Sequence, residues 1–314
     1  MLRSVKEQSL YPHEIIIVDG SLDNATQEAL TQEEFENIHY FLVSPQNRGL
    51  TKQRNFGISK LALDSDIVSF LDDDTILQED YFENLILGYK ELPEAVGIGG
   101  ISLNENRWIK NDGTKALSTI EYYQFDGYYI KESVRNQVRN LFGLQSNLPP
   151  GKMPDFSHGR TYSYPLNSKR YAVDLLVGMS MSFRKKHLDG TKFSKYFEGY
   201  GLYEDADFSL RMRQFGPLYI DTNVQLNHYH APDGRPNKFA YGKMVIRNGW
   251  YVWRVGHPNP GLKARLKWNA TAALLSTIRF TNALIGNDKN AALTETLGRV
   301  VGWWSLLFKK PFQV

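Results

Sequence analysis

Ile67–Thr75 reads IVSFLDDDT, a short apolar run that stops at three consecutive acids. A run of this length closed by a polar turn is the pattern of a strand buried on both faces of a parallel sheet. The pattern recurs upstream at Glu14–Val18 (EIIIV), closed by Asp19-Gly20-Ser21, and more weakly at His39–Val43. Helix-like stretches over 24–37, 49–63 and 80–89 separate and follow these runs. Alternation of strand and helix predicts an α/β fold, a mixed and mostly parallel sheet flanked by helices. Ligands of open α/β sheets gather at the carboxyl ends of strands, where Asp19 and Asp72-Asp73-Asp74 would lie.

Further along, from about Asn104 to Arg170, no clean period survives. EYYQFDGYY and LPPGKMPDFSHGRTYSYP are rich in Tyr, Pro, Gly and Ser, which predicts an inserted surface or lid loop. Order resumes with a strand over 172–183, a helix over 204–214 and a strand over 218–226, with Gly216-Pro217 as the stop between the last two. Phe208, Met212 and Phe215 are spaced for one buried helix face. Beyond them, 261–285 and 291–308 are apolar but Arg- and Lys-bearing, too interrupted to span a bilayer. For Trp303, Trp304, Leu306, Leu307 and Phe308 beside Lys309 and Lys310 two accounts stand open: a helix packed on the protein's own core, or an amphipath seeking a membrane surface. The expected organisation is one α/β domain over 1–255, with the insertion at about 104–170, and a helical tail over 256–314.

Composition narrows the function classes. Of 314 residues, 42% are hydrophobic and 23% charged, the usage of a folded globular protein. The 37 basic and 34 acidic side chains leave +3, which gives no ground for a nucleic-acid partner. No cysteine occurs, so disulfides, thiolate metal sites and a cysteine nucleophile are excluded, and a reducing compartment fits. The opening MLRSVKEQSL lacks the apolar run of a signal peptide, so cytoplasmic residence is the expectation.

Three constellations carry chemistry. Adjacent carboxylates repel by up to about 4 kcal/mol per close pair at an effective dielectric near 20, so a charged partner is expected beside Asp72, Asp73 and Asp74. Alternation along an extended chain puts Asp72 and Asp74 on one side, a grip suited to a hard divalent cation; the plainer account is a solvated turn or helix cap. Glu204, Asp205 and Asp207 open a helix after FEGYGLY. The helix dipole favours acids there at roughly 0.3–1 kcal/mol each, while a carboxylate at such a place also suits a base that meets a substrate hydroxyl. His228 and His230 alternate in LNHYH, and an imidazole joining carboxylates tilts the choice toward Mn2+ over Mg2+. Arg235 nearby, with Arg48, Lys52 and Arg54 in NRGLTKQRN, offers cations that pair with phosphate.

In order and spacing, VDGS, NRGLTKQRNFGI, FLDDDT, VGMSMSFRK, FEGYGLYEDADFSLRMRQFG and VQLNHYH resemble the family 2 glycosyltransferases, nucleotide-sugar enzymes of the Rossmann-like GT-A fold. The resemblance covers roughly 1–255 and implies that the insertion at about 104–170 lies on the acceptor side. It implies that Asp19 reads the nucleotide base and that Arg54 and Asn55 lie near the nucleotide. Asp72 and Asp74 match the DXD element, with Asp74 a metal ligand, Asp72 toward ribose and metal, and Asp73 beside the donor. Asp205 matches the catalytic base, Glu204 the acid paired with it, Asp207 a supporting acid, and His228 the late histidine that completes a metal site; His230 and Arg235 are support. The family begins with a strand of the type VSVVIPTYN, whereas this chain starts inside what resembles the following helix. A fragment or a misplaced start codon is the expected reason.

The resemblance implies inverting transfer of a sugar from a nucleoside diphosphate sugar, a UDP-sugar ahead of dTDP- or GDP-sugars, to a hydroxyl of a surface polysaccharide or lipid-linked glycan. It also implies a divalent cation, Mn2+ or Mg2+, and peripheral contact with the inner membrane face. The rival is a nucleotide-sugar-binding module without turnover. A phosphatase with an aspartate nucleophile would need Thr or Val at position 76, where this chain has Ile76.

Overall fold

The computed structural model describes residues 1–156, 159–161, 163–197, 199–230 and 236–311. The chain forms two compact units, Met1–Glu105 with Asn167–Ala231, and Asn106–Leu166 with Pro232–Val314. The first unit opens with α1 (Leu2–Lys6), β1 (Ile15–Asp19), α2 (Ala25–Gln32), β2 (Ile38–Leu42), α3 (Leu50–Ile58), β3 (Ile67–Leu71), β4 (Thr75–Leu77), α4 (Tyr81–Glu91) and β5 (Gly97–Ser102). The second unit then contributes β6 (Ile109–Lys110), β7 (Tyr122–Phe125), β8 (Tyr128–Lys131) and α5 (Val134–Leu141). The chain returns to the first unit with β9 (Arg170–Val173), β10 (Ser180–Arg184), α6 (Glu204–Met212) and β11 (Leu218–His228). It ends in the second with α7 (Lys238–Gly256), α8 (Leu262–Ile285) and α9 (Lys289–Phe308).

In the first unit β1 and β2 pair in parallel, Ile15 opposite Ile38 and Asp19 opposite Leu42. The larger sheet has the order β3-β10-β5-β11-β4, with β9 added to β11. There β11 runs parallel to β5 and antiparallel to β4 and β9, while β10 is antiparallel to β3 and β5. The architecture is the mixed α/β one that the alternation predicts. Three details differ from the sequence pattern. All of β1 is only half-buried, because β2 is its one strand partner among the described residues; elsewhere the Gln53 side chain of α3 donates to the Val18 carbonyl at 2.7 Å. The strand predicted over 172–183 is two, β9 and β10, because each pairs with different neighbours and the chain turns between them at Val177–Ser180. The helix predicted to 214 stops at Met212, so Phe208 and Met212 are buried while Phe215 lies on the surface, stacked on His187.

The core explains why the sheet and α6 hold their places. Tyr81, Leu85 and Tyr89 of α4 pack with Val5, Leu77, Ile98, Val224 and Leu226. A second set of rings ties β3 to α6: Phe70 meets Phe183, Phe193 and Phe208, and Phe193 stacks on Phe208 with centroids 3.8 Å apart. Each buried aromatic of this size contributes roughly 1.5–3 kcal/mol. The acids at the end of β3 and at the start of α6 are therefore mounted on one rigid hydrophobic block.

In the second unit the segment predicted as a loop carries the antiparallel sheet β6-β8-β7 and α5. Buried Arg160 donates to Glu132 at 2.9 Å and lies 3.8 Å above the Tyr123 ring. Helices α7 and α9 approach so closely that a Cβ on Gly242 would sit 2.1 Å from the Glu295 carbonyl, and one on Gly298 2.1 Å from that of Phe239. Among the described residues no helix is long and apolar enough to cross a membrane.

Candidate active site

Asp72, Asp73 and Asp74 form the turn between β3 and β4, in which Thr75 Oγ1 donates to the Asp72 carbonyl at 2.7 Å. The turn, rather than strand alternation, separates the three side chains: Asp73 is exposed, and Asp72 and Asp74 gather beside His228. His228 arrives there because β4 pairs with β11 in a register that sets Thr75 opposite it. Ligand atoms of Asp72, Asp74 and His228 all lie within 4.8 Å of one another, with His228 Nε2 3.3 Å from Asp74 Oδ1. Two carboxylates and an imidazole at this spacing suit a divalent cation of the Mn2+ or Mg2+ class.

The second acidic cluster meets the first through Arg54. This α3 side chain donates to Asp72 Oδ1 at 3.0 Å and, through its other terminal nitrogen, to Glu204 Oε1. Glu204 and Asp205 start α6, held there by the left-handed conformation of Tyr203 (φ 71°). Asp205 Oδ2 accepts the Gly178 backbone N–H at 3.0 Å and Oδ1 that of Ala206 at 2.8 Å. A Cβ at Gly178 would come within 3.7 Å of Arg54, Glu204 and Asp205 together, so the turn between β9 and β10 lies at the junction of the clusters. Burial raises the Glu204 carboxyl to about 8 against the pull of Arg54. Burial also raises Asp72; Arg54 opposes this, and the neighbouring charges of Asp74 and Asp205 add to it. Four carboxyl groups, Asp72, Asp74, Glu204 and Asp205, thus share this pocket with the Arg54 guanidinium, and their mutual repulsion is relieved by protonation or by a cation.

Among the remaining candidates, Asp19 ends β1 and accepts from the Ser21 N–H at 2.7 Å and the Tyr40 hydroxyl at 2.9 Å. Desolvation pushes its pKa up, but hydrogen bonds from Ser21, Tyr40 and Thr26 outweigh that and hold it low. Asn55 is engaged on both faces of its amide by the Phe193 backbone, at 2.9 and 2.8 Å. Asp207 is buried and clamped by a fork from Arg211, at 3.1 and 2.6 Å, one turn along α6.

Beyond this geometry, the sequence signature of the family described as Glycosyl transferase family 2 matches residues 1–167. The chain belongs to that family. The matched stretch holds Asp19, Arg54, Asn55 and the three acids, and it ends before Glu204, Asp205 and His228. Over 102 residues this family 2 chain is 32% identical to a glucosyl-dolichyl phosphate glucuronosyltransferase of Haloferax volcanii, covering 32% of this chain and 31% of that protein. It is 30% identical over 93 residues to an O-antigen chain rhamnosyltransferase of Salmonella typhimurium, covering 29% and 28%. The alignments thus span less than a third of either curated relative. The fold is shared with a mannosyltransferase of Pyrobaculum calidifontis solved with GDP-Man and Mn2+, at a TM-score of 0.50 and 12% identity over 97% of this chain and 82% of that one. The GT-A fold implied by the motifs is the one found.

Arg235 lies outside the described residues. His230 is half-exposed and contacts Glu105 at 2.7 Å. Glu105, Asn104 and Gly178 are site residues that the motifs do not single out. Only Gly178 carried a sequence signal, as the glycine of VGMS.

Proposed function

We propose that the chain transfers a sugar, with inversion at the anomeric carbon, from a nucleoside diphosphate sugar to a hydroxyl of a surface polysaccharide or lipid-linked glycan. The observation that supports this reading is the Arg54 bridge from Asp72 to Glu204, the neighbour of Asp205, with Asp74 and His228 gathered beside Asp72. Asp205 takes the acceptor hydroxyl proton as that oxygen attacks the face of the sugar opposite the diphosphate. Its oxygens are aimed by the Gly178 and Ala206 N–H groups. Asp72, Asp74 and His228 would hold a divalent cation, which when bound offsets charge on the leaving diphosphate. Arg54 keeps Asp72 and Glu204 from repelling each other, and Asp19, ionised and fixed by Tyr40 and Ser21, offers an acceptor to a nucleobase N–H.

A UDP-sugar is the first donor to try, before dTDP- and GDP-sugars. The names of the two curated relatives, a glucosyl-dolichyl phosphate glucuronosyltransferase and an O-antigen chain rhamnosyltransferase, favour a lipid-linked glycan or polysaccharide acceptor, and the site of action proposed with it is the inner face of a membrane. Helix α9 favours the same site of action. Its small and polar residues Ala292, Glu295, Thr296, Gly298 and Gly302 are buried, while Leu297, Trp304, Leu307 and Phe308 are exposed.

The test is nucleotide release from a panel of UDP-, dTDP- and GDP-sugars with Mn2+, alongside donor binding. Asp205→Asn is expected to lose turnover by about 10^2–10^4-fold with donor affinity kept. Donor binding without turnover in the wild type would instead establish a binding module.

A further inference from the structure

The cluster Asp72, Asp74 and His228 uses one nitrogen of the imidazole. The other nitrogen faces a carboxylate to which the proposed reaction gives no role. Glu105 Oε2 lies 3.3 Å from His228 Nδ1, and its Oε1 lies 2.7 Å from His230 Nε2. Across the same ring, Nε2 points to Asp74 Oδ1 at 3.3 Å. The preceding residue fixes the backbone: Asn104 Nδ2 donates to the His228 carbonyl at 2.8 Å and Asn104 Oδ1 accepts the His228 N–H at 2.9 Å. Two consecutive residues therefore hold His228, Asn104 by the main chain and Glu105 by the ring.

The chemistry of imidazole gives this contact a consequence. A neutral ring carries one N–H and one lone pair, and only the nitrogen with the lone pair can ligate a cation. An ionised carboxylate accepts and cannot donate, so Glu105 keeps a proton on Nδ1; Asp74 draws on Nε2 in the same way, and a cation shared by Asp72 and Asp74 would take the Nε2 lone pair in place of a proton there. Carboxylates behind metal-ligating histidines act in this way, and losing one typically costs 10- to 100-fold in metal affinity. His230 anchors the second oxygen of Glu105, which stops the carboxylate from rotating out of line.

We propose that Glu105 is the positioning residue of the cation site, holding His228 in the Nδ1–H tautomer so that Nε2 completes the grip of Asp72 and Asp74. This rests on the reading above that those three side chains bind a divalent cation. The competing arrangement on the same residues is a separate cation held by Glu105, His228 and His230, whose ligand atoms also lie within 4.8 Å of one another.

The experiment is Mn2+ titration of the full chain, followed by the electron paramagnetic resonance of free Mn2+, for wild type, Glu105→Ala, Glu105→Gln, His230→Ala and Asp74→Asn. Nitrogen-15 NMR of histidine-labelled, metal-free protein reads the His228 tautomer in parallel. Expected are one Mn2+ per wild-type chain, affinity about 10- to 100-fold weaker in Glu105→Ala, partial rescue in Glu105→Gln, and movement of the His228 proton to Nε2 in Glu105→Ala. Unchanged affinity or tautomer in Glu105→Ala, with binding lost in Asp74→Asn, overturns the positioning role alone. Unchanged affinity in Asp74→Asn overturns the cation reading and this proposal with it. Two Mn2+ per chain, one of them lost in both Glu105→Ala and His230→Ala, assigns Glu105 as a direct ligand and overturns the role.

Discussion

Arg54 and Glu204 form a buried ion pair although 150 positions separate them in the chain. The guanidinium also reaches Asp72, so one side chain neutralises an acid from each of two elements, the β3–β4 turn and α6. Replacing a charge in such a group strands its partners in low dielectric, which costs about 3–5 kcal/mol. Arg54→Met is therefore expected to lower unfolding free energy by that order in urea at pH 9, above the value of about 8 to which burial raises Glu204. The double variant Arg54→Met with Glu204→Gln should recover part of the loss, since it leaves one stranded carboxylate fewer. Equal stability of the two variants would show that the pair contributes nothing beyond packing.

Glu204 sets a pH dependence whose sign follows from its environment. Burial raises its carboxyl from the ordinary 4.5 to about 8, so the folded state binds its proton more tightly than the unfolded chain does. The stabilisation is complete below pH 4.5 and is lost as pH rises through about 8. Melting temperature should then fall between pH 6 and pH 9 more steeply for wild type than for Glu204→Gln, which has no proton to lose there. Comparing the two cancels groups such as Asp19, whose lowered pKa acts in the opposite sense at acid pH. Parallel curves over this range would remove Glu204 as the cause.

The contact of α7 with α9 makes glycine necessary at Gly298. Alanine in a helix is favoured over glycine by roughly 1 kcal/mol, but its Cβ would meet the Phe239 carbonyl at 2.1 Å, a backbone atom that cannot rotate aside. Overpacking of this kind costs about 1–3 kcal/mol or more. Gly298→Ala should lower stability by about 2 kcal/mol net of the propensity gain, read as a smaller midpoint in urea; an unchanged or raised midpoint would mean that the helices separate without cost.

What could be read from the sequence was what depends on local order. Asp19 and Asp72–Asp74 follow apolar runs, and an acid after such a run is at a strand end whatever the strand's neighbours are. Asn104 and Glu105 were illegible because their place depends on pairing. β5 and β11 run parallel with Ser102 opposite Leu226, so the residues two places beyond each, Asn104 and His228, come level. No period in the sequence encodes that register. Exposure of β1 was misjudged for the same reason, since EIIIV reads as fully buried but has a hydrogen-bonded neighbour only in β2 among the described residues. Asn55 was legible as a motif member, yet its two bonds to the Phe193 backbone appear only once α3 meets the segment before α6.

The last expectation concerns α9, which leaves several large apolar side chains exposed. Leu297, Trp304, Leu307 and Phe308 are 52%, 60%, 68% and 86% exposed, while the buried residues are Ala292, Glu295, Thr296, Gly298, Gly302 and a single leucine, Leu306. Lys309 and Lys310 extend the exposed stripe with positive charge. An apolar stripe beside lysines binds an anionic bilayer by burying the first and attracting the second, at about 1 kcal/mol per lysine near the surface. Wild-type protein should sediment with vesicles containing phosphatidylserine, and less with purely zwitterionic ones. Leu307→Glu with Phe308→Glu should abolish sedimentation, whereas Lys309→Glu with Lys310→Glu should remove only the preference for anionic lipid. Leu307 and Phe308 are exposed, and Lys309 meets α7 through its main-chain carbonyl, which accepts from Arg247 at 2.9 Å, so circular dichroism should be unchanged in both double variants. Sedimentation that persists in Leu307→Glu with Phe308→Glu would place the membrane contact elsewhere on the chain.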